Sequence, residues 1–248
     1  MPGRFEDWSS PADPPGPGDH AVDAIEKLLE KNEAWAEALK QKDPDFFKRL
    51  ADQQITEYLW IGCADSRVPA NQIVDLAPGE LFVHRNVATV VVHTDFNCLS
   101  VIQCAVDVLQ VRHILVMGHY NCGGVRAALR NEGTGLISNW LRHVQDVRDL
   151  HQPVLTALSS ERDRIDRLCE LNVVEQVGHV CQNAIIKEAW RGGRSLTVHG
   201  FIYDVADGLL RDLGLKISSE EQLPEVKQAA IEELIARPVR SGRRRTIS

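Results

Sequence analysis

Short apolar runs alternate with longer segments of helical spacing over most of the chain. A continuous apolar run of four to eight residues predicts a buried strand, whereas apolar residues three or four apart predict a helix. We expect parallel strands at 55–62, 81–84, 113–118 and 196–203, and an antiparallel edge strand at 209–212. We expect helices at 23–40, 44–52, from 69 onward, 97–109, 123–130, 136–150 and 224–237, and a long helical tract at 159–190 that is interrupted near Asn172.

Strands that alternate with helices predict an α/β fold. The sheet should be mostly parallel and four-stranded, with the antiparallel strand at its edge, flanked by helices and preceded by an N-terminal helical arm. Residues 1–20 hold five of the eleven prolines, so we expect a disordered or loosely draped arm there. Residues 21–238 should form a single domain, and the basic residues 239–248 should form a mobile tail.

Composition and charge exclude several classes of protein. The net charge of −7 is opposite to that of a typical nucleic-acid-binding domain, so we expect no nucleic-acid partner. No apolar run approaches the ~18 residues of a membrane span. The N-terminus lacks the pattern of a signal peptide, which predicts a cytoplasmic protein with reduced thiols. Four of the six cysteines lie in apolar helical patterns and should be small core residues: Cys98, Cys104, Cys169 and Cys181.

The other two cysteines follow predicted strands. The first strand runs into Cys63-Ala-Asp65-Ser-Arg67, and the third runs into His119-Tyr-Asn-Cys122-Gly-Gly. Because parallel strands end at the same edge of a sheet, these side chains should converge. Two thiolates and one imidazole form a tetrahedral zinc site with one open position, as catalytic zinc sites do.

Asp65 and Arg67 suit such a site. Two thiolates make zinc a weaker Lewis acid, and a neighbouring carboxylate can compensate by orienting a metal-bound hydroxide. Arg67 can hold that carboxylate with two parallel hydrogen bonds. The alternative is a surface ion pair that contributes little to stability.

The motifs C-A-D-S-R at 63–67 and H-Y-N-C-G-G at 119–124 resemble the paired signatures of the β-class carbonic anhydrases. The likeness extends from about residue 23 to 203. It implies one zinc ion per chain on Cys63, His119 and Cys122, and a catalytic dyad of Asp65 and Arg67. It also implies reversible hydration of carbon dioxide to bicarbonate and a proton, and assembly into dimers or tetramers.

A finer resemblance is to the bacterial allosteric subtype, type II. It rests on Trp60, on Arg85 in F-V-H-R-N and on Tyr203 in H-G-F-I-Y-D. The resemblance implies that these three residues bind a non-catalytic bicarbonate. It also implies an inactive state, favoured by bicarbonate and low pH, in which Asp65 becomes the fourth zinc ligand and the switch loop at Val68 and Pro69 moves. Taken singly, the three residues could equally be core aromatics and a structural arginine.

Other functions remain open at this point. A cysteine hydrolase would use Cys63 as nucleophile and His119 as base, but it would leave Cys122 without a role. Relatives on the same fold hydrolyse carbon disulfide or carbonyl sulfide with the same metal set. A non-catalytic bicarbonate sensor is the third alternative, and the Asp65–Arg67 dyad disfavours it.

Overall fold

The computed structural model describes residues 20–52 and 54–240, with side chains from residue 23. The predicted arm therefore lies outside the described residues, apart from the first residue of a helix. The predicted basic tail also lies outside them, apart from Val239 and Arg240. The chain divides into two compact units at residues 54 and 55, and each is described by itself.

The first unit holds two helices. Helix α1 spans His20–Lys42 and helix α2 spans Phe46–Asp52. The ring of Trp35 meets that of Phe47 edge to face, with 5.7 Å between the centroids. Four large apolar side chains of α1 stay exposed: Ile25, Leu28, Leu29 and Trp35.

The second unit is built on a five-stranded sheet. Its strands are β1 (Tyr58–Cys63), β2 (Leu81–Asn86), β3 (His113–His119), β4 (Thr197–Asp204) and β5 (Leu209–Ile217). Their order across the sheet is β2-β1-β3-β4-β5. The first four strands are parallel and β5 pairs antiparallel with β4. The predicted fold class is confirmed, and β5 is longer than the 209–212 expected.

Helices cover the sheet. They are α3 (Ala70–Ile73), α4 (Phe96–Gln103) with a π-helical turn at Cys104–Val108, α5 (Gly123–Arg130), α6 (Leu136–Leu150), α7 (Gln152–Thr156), α8 (Glu161–Gln182), α9 (Ala184–Arg191) and α10 (Leu223–Ala236). The main core lies on the face of the sheet that α8 covers. A smaller cluster around Trp60, Val68 and Met117 lies on the other face. None of the helices in residues 20–52 and 54–240 combines the length and the apolar character that a membrane span needs.

The predicted interruption of the long helical tract near Asn172 is wrong. The helix continues to Gln182, and the break comes at Asn183, whose side chain accepts a hydrogen bond from the backbone of Ile185 and so starts α9. Asn172 is buried, and its side chain donates to the carbonyl of Ala88 and accepts from Gln176. With its polar atoms paired away from its own backbone, Asn172 does not compete with the helix.

Gly200 allows β4 to pack closely against its neighbours. A Cβ atom there would lie 2.5 Å from Leu215 Cδ1 and 3.1 Å from Val177 Cγ2 of α8. Both neighbours are fully buried or nearly so, and they have little room to move. The sheet and α8 can therefore pack this close to each other only because position 200 has no side chain.

We expect Gly200→Ala to lower the free energy of unfolding by about 1–3 kcal/mol, as overpacking does in other cores. The matched control is Gly178→Ala in α8, where the nearest atom to a new Cβ is 3.7 Å away. That change should raise stability by up to about 1 kcal/mol through helix propensity. Urea denaturation of both variants measures the difference. Equal effects of the two substitutions would contradict the packing account.

Candidate metal centre

The register of the parallel strands determines where the motif residues emerge. Gly62 lies opposite Met117, so Cys63 at the end of β1 and His119 at the end of β3 leave the sheet at the same edge. Cys122 is the residue immediately before α5, in an extended conformation. The turn between His119 and Cys122 includes Asn121 at φ 55°, a left-handed conformation that asparagine tolerates better than most residues.

The three candidate ligands converge as predicted. The potential donor atoms of Cys63, His119 and Cys122 all lie within 4.8 Å of one another, and all three residues are buried. The two sulfur atoms are 3.9 Å apart. A cysteine hydrolase would need only Cys63 as nucleophile and His119 as base. It would not require the sulfur of Cys122 at this distance, so the arrangement disfavours a cysteine hydrolase.

The hydrogen bond of His119 fixes which ring nitrogen can bind a metal. Its Nδ1 lies 3.0 Å from the carbonyl oxygen of Tyr120. Because a carbonyl can only accept, Nδ1 carries the proton and Nε2 presents a lone pair. Nε2 is buried and has no hydrogen-bond partner among the described residues. A cation is the partner that this lone pair lacks.

The two thiols differ in how readily they lose a proton. The hydrogen bond with Cys122 lowers the pKa of Cys63 to about 4, and His119 contributes to the lowering against the effect of burial. The same hydrogen bond and burial raise the pKa of Cys122. Without a cation, the pair therefore holds one negative charge. A divalent cation would stabilise the second thiolate, and two sulfurs with one imidazole are the donor set that zinc prefers.

Asp65 and Arg67 form the expected dyad beside the cluster. Arg67 Nε donates to Asp65 Oδ1 at 2.9 Å and Nη2 donates to Oδ2 at 2.6 Å. This pairing lowers the pKa of Asp65 to about 2, so its carboxylate is ionised at neutral pH. Asp65 Oδ2 is 3.8 Å from His119 Nε2. The carboxylate is held next to the open side of the cluster but is not part of it.

The residues of the predicted bicarbonate site share one face of the sheet. Trp60 and Gly62 are two residues apart on β1 and therefore project to the same face of the sheet. Gly62 pairs with Arg85 on the neighbouring strand β2, which places Arg85 on that face as well. Tyr203 lies opposite His119 on the same face and packs against the cluster that contains Trp60. Trp60 Nε1 is buried without a hydrogen-bond partner among the described residues. Arg85 is occupied, since its guanidinium donates to the backbone carbonyls of Cys63 and Asp65.

The two residues of the predicted switch loop follow the dyad directly. The backbone N–H of Val68 donates to the carbonyl of Asp65 at 3.0 Å, and its side chain is fully buried in the smaller cluster. Pro69 precedes α3. The loop is therefore tied to Asp65 by a backbone hydrogen bond.

Sequence reasoning missed the support of the metal-binding turn. The hydroxyl of Tyr120, between two candidate ligands, donates to the buried Glu170 at 2.6 Å. The backbone N–H of Asn121 donates to Asp166 at 3.3 Å. Both acids lie on α8, about fifty residues further along the chain. Charged residues in a helix usually indicate a solvent-exposed face, and nothing in the spacing of these two acids points to the turn.

A family model described as "Carbonic anhydrase" matches residues 58–210, which include the cluster and the dyad. The chain belongs to the carbonic anhydrase family. It is 47% identical over 190 residues to a carbonic anhydrase of Emericella nidulans, covering 77% of this chain and 83% of that relative.

Solved structures identify the β class. A tetrameric β-carbonic anhydrase of Sordaria macrospora is 39% identical and aligns with a TM-score of 0.75 over 79% of this chain and 99% of that chain. The Coccomyxa β-carbonic anhydrase in complex with acetazolamide is 41% identical, with a TM-score of 0.77 over 84% of this chain and 96% of that chain. Enzymes of this class use zinc, and the Cys63–His119–Cys122 cluster fits that ion.

We expect Cys63→Ser to abolish stoichiometric zinc binding by this β-carbonic anhydrase, because a serine hydroxyl is a far poorer zinc ligand than a thiolate. The matched control is Cys104→Ala, which removes a thiol outside the cluster. Elemental analysis of zinc after dialysis against a mild chelator measures both variants. Retention of one zinc per chain by Cys63→Ser would exclude this residue as a ligand.

Proposed function

We propose that this enzyme catalyses the reversible hydration of carbon dioxide to bicarbonate and a proton, with one zinc ion per chain on Cys63, His119 and Cys122. The observation that carries the proposal is the bidentate Arg67–Asp65 pair beside a buried two-sulfur, one-nitrogen cluster. A structural zinc site would have four protein ligands and would have no use for an oriented carboxylate next to it.

The residues have separate roles in this reaction. Zinc in such a site supplies Lewis acidity, which makes water a nucleophile near neutral pH. Asp65 accepts a hydrogen bond from the attacking water and aims its oxygen at the carbon of carbon dioxide. Arg67 holds Asp65 through two hydrogen bonds and keeps it ionised, so the carboxylate accepts rather than donates. His119 is kept in the tautomer that leaves Nε2 for the metal.

We expect Asp65→Asn to retain zinc but to lower kcat for carbon dioxide hydration on the order of 100-fold, as the loss of a positioned proton acceptor commonly does. The amide keeps the size of the side chain but accepts a hydrogen bond less strongly. Stopped-flow hydration assays with zinc-loaded protein give the rate. The matched control is Asp146→Asn, an exposed acid on α6 paired with Arg142.

Two results would overturn this proposal. Full activity of Asp65→Asn would remove the dyad from the mechanism. Inactivity of the zinc-loaded wild-type protein on carbon dioxide, with turnover of carbonyl sulfide or carbon disulfide, would reassign the substrate. Acetazolamide, which is bound in the Coccomyxa complex, can be added to these assays as a competing ligand.

We also propose that bicarbonate regulates the enzyme through Trp60, Arg85 and Tyr203. Trp60 offers a buried N–H donor, and Arg85 offers a cation at the rim of the same sheet face. Bicarbonate would draw Arg85 away from the carbonyls of Cys63 and Asp65. Loss of these two hydrogen bonds would couple binding of the regulatory anion to the position of the dyad. Asp65, released from Arg67, could then take the fourth ligand position, with Val68 and Pro69 moving alongside.

The direction of the pH effect follows from competition for that position. Hydroxide ions become scarcer as pH falls, so the carboxylate of Asp65 would compete more easily for the position that Cys63, His119 and Cys122 would leave open on zinc. The pKa of Asp65, about 2, leaves this carboxylate ionised throughout the range in which the enzyme would lose activity. Activity should therefore decline toward low pH, and bicarbonate should deepen the decline.

We expect Tyr203→Phe to weaken inhibition by bicarbonate about tenfold, because one donor to a charged ligand is lost. Each variant is compared with its own rate in the absence of added bicarbonate, near pH 7. The matched control is Tyr58→Phe, on the same sheet face at the other end of β1. Unaltered inhibition of Tyr203→Phe, or no inhibition of the wild type, would argue against regulation at this site.

Self-association is the remaining part of the proposal. The exposed apolar side chains of α1 need a partner surface, and the Sordaria relative is tetrameric. We infer that this enzyme forms dimers or tetramers through contacts that include α1.

A further inference from the structure

The turn that carries His119 and Cys122 is supported from its outer side by two buried acids. Tyr120 is nearly fully buried and donates its hydroxyl hydrogen to Glu170. The N–H of Asn121 donates to Asp166 Oδ1. Asp166 and Glu170 are one helical turn apart on α8 and are 2% and 0% exposed. Neither acid touches the metal cluster, so both act on the ligands through the turn.

Buried carboxylates require positive partners, because an isolated buried charge is strongly unfavourable. Arg167 lies 3.0 Å from Glu170 within α8. The other partners come from the segment that follows α10, which we name the C-terminal strap (residues 237–240). Arg237 lies 3.7 Å from Glu170, and Arg240 Nε donates to Asp166 Oδ2 at 2.6 Å. The strap is itself fastened, since Arg167 donates to the carbonyl of Arg237 at 2.8 Å.

The strap also lies against the aromatic ring between the ligands. The guanidinium carbon of Arg240 is 5.1 Å from the centroid of the Tyr120 ring, within the range of a cation–π contact. Arg240 also lines a cleft of about 420 Å³ together with Arg67 and Asn121. The strap thus reaches the same cleft as Arg67 of the dyad.

A continuous series of hydrogen bonds connects Arg240 to the dyad. Arg240 donates to Asp166, Asp166 accepts from the N–H of Asn121, and the carbonyl of Asn121 accepts from Arg67 Nη2 at 3.3 Å. Arg67 then holds Asp65. The position of the Asn121 peptide therefore depends on the strap at one end and affects the dyad at the other.

We propose that the C-terminal strap is a positioning element of the active site, in which Arg240, acting through Asp166 and Tyr120, holds the 119–122 turn and the Asp65–Arg67 dyad in their working geometry. This inference deepens the proposed function and rests on it. Arg240 contacts neither the cluster nor Asp65, so it is a positioning residue rather than a catalytic one.

The test compares Arg240→Gln with Arg240→Lys in the full-length, zinc-loaded protein. We expect Arg240→Gln to release zinc to a chromogenic chelator about three to ten times faster than wild type, a smaller effect than loss of a residue that bonds a ligand directly. It should lower kcat by a similar factor with little change in KM. Lysine keeps the cation and should restore most of both properties. Arg191→Gln, an exposed arginine paired with Glu220, is the matched control.

Two further measurements separate positioning from general loss of stability. Gly200→Ala should lower the melting temperature without a comparable increase in zinc release. Hydrogen exchange in the peptide containing residues 119–122 should accelerate in Arg240→Gln, in zinc-loaded and zinc-free protein alike. The proposal is overturned if Arg240→Gln behaves as Arg191→Gln, or if zinc release in all variants follows melting temperature alone. Absence of zinc from the wild type would contradict the proposed function instead, while the exchange measurement would still decide the role of the strap.

Discussion

The parallel pairing of β1 with β3 is the constraint on which the site depends. It places Gly62 opposite Met117, so that Cys63 and His119 leave the sheet at one edge. The turn after β3 then brings back Cys122, 3.9 Å from the first sulfur. Two sulfurs and a ring nitrogen, all buried and within 4.8 Å of one another, form a donor set that suits a divalent cation such as zinc.

Asp65 would be drawn to the same cation, and Arg67 restrains it. The carboxylate lies 3.8 Å from His119 Nε2, close enough for a small displacement to bring it to a metal. Two hydrogen bonds from the Arg67 guanidinium and one from its backbone N–H oppose that displacement. An active state would have the carboxylate beside the metal, and an inactive state would have it bound to the metal. The two states would thus differ in which cation, Arg67 or the metal, holds Asp65 more strongly. Arg85, bonded to the carbonyls on either side of Ala64, lies where an anion could alter that balance.

Much of this arrangement was predictable because it is local in sequence. Cys63, Asp65 and Arg67 lie within five residues, and His119 and Cys122 within four, so strand-end position and residue chemistry were enough to predict the cluster. The break in the long helical tract was not predictable from the presence of an asparagine. Asn172 and Asn183 have the same side chain, and only tertiary partners determine that one packs inside a helix while the other begins one.

The support of the turn was beyond sequence reasoning for the same reason. Tyr120 and Glu170 are 50 residues apart and Glu170 and Arg237 are 67 residues apart, and each looks ordinary in its own segment. The structure shows that these charges are interdependent. Glu170 can be buried because Arg167 and Arg237 lie beside it and balance its charge. Buried in this position, Glu170 accepts the hydrogen bond from the hydroxyl of Tyr120 that holds the turn. A site that the sequence presents as two short motifs therefore extends through α8 to the residues that follow α10, and the geometry of the metal ligands depends on charge balance at a distance from the metal.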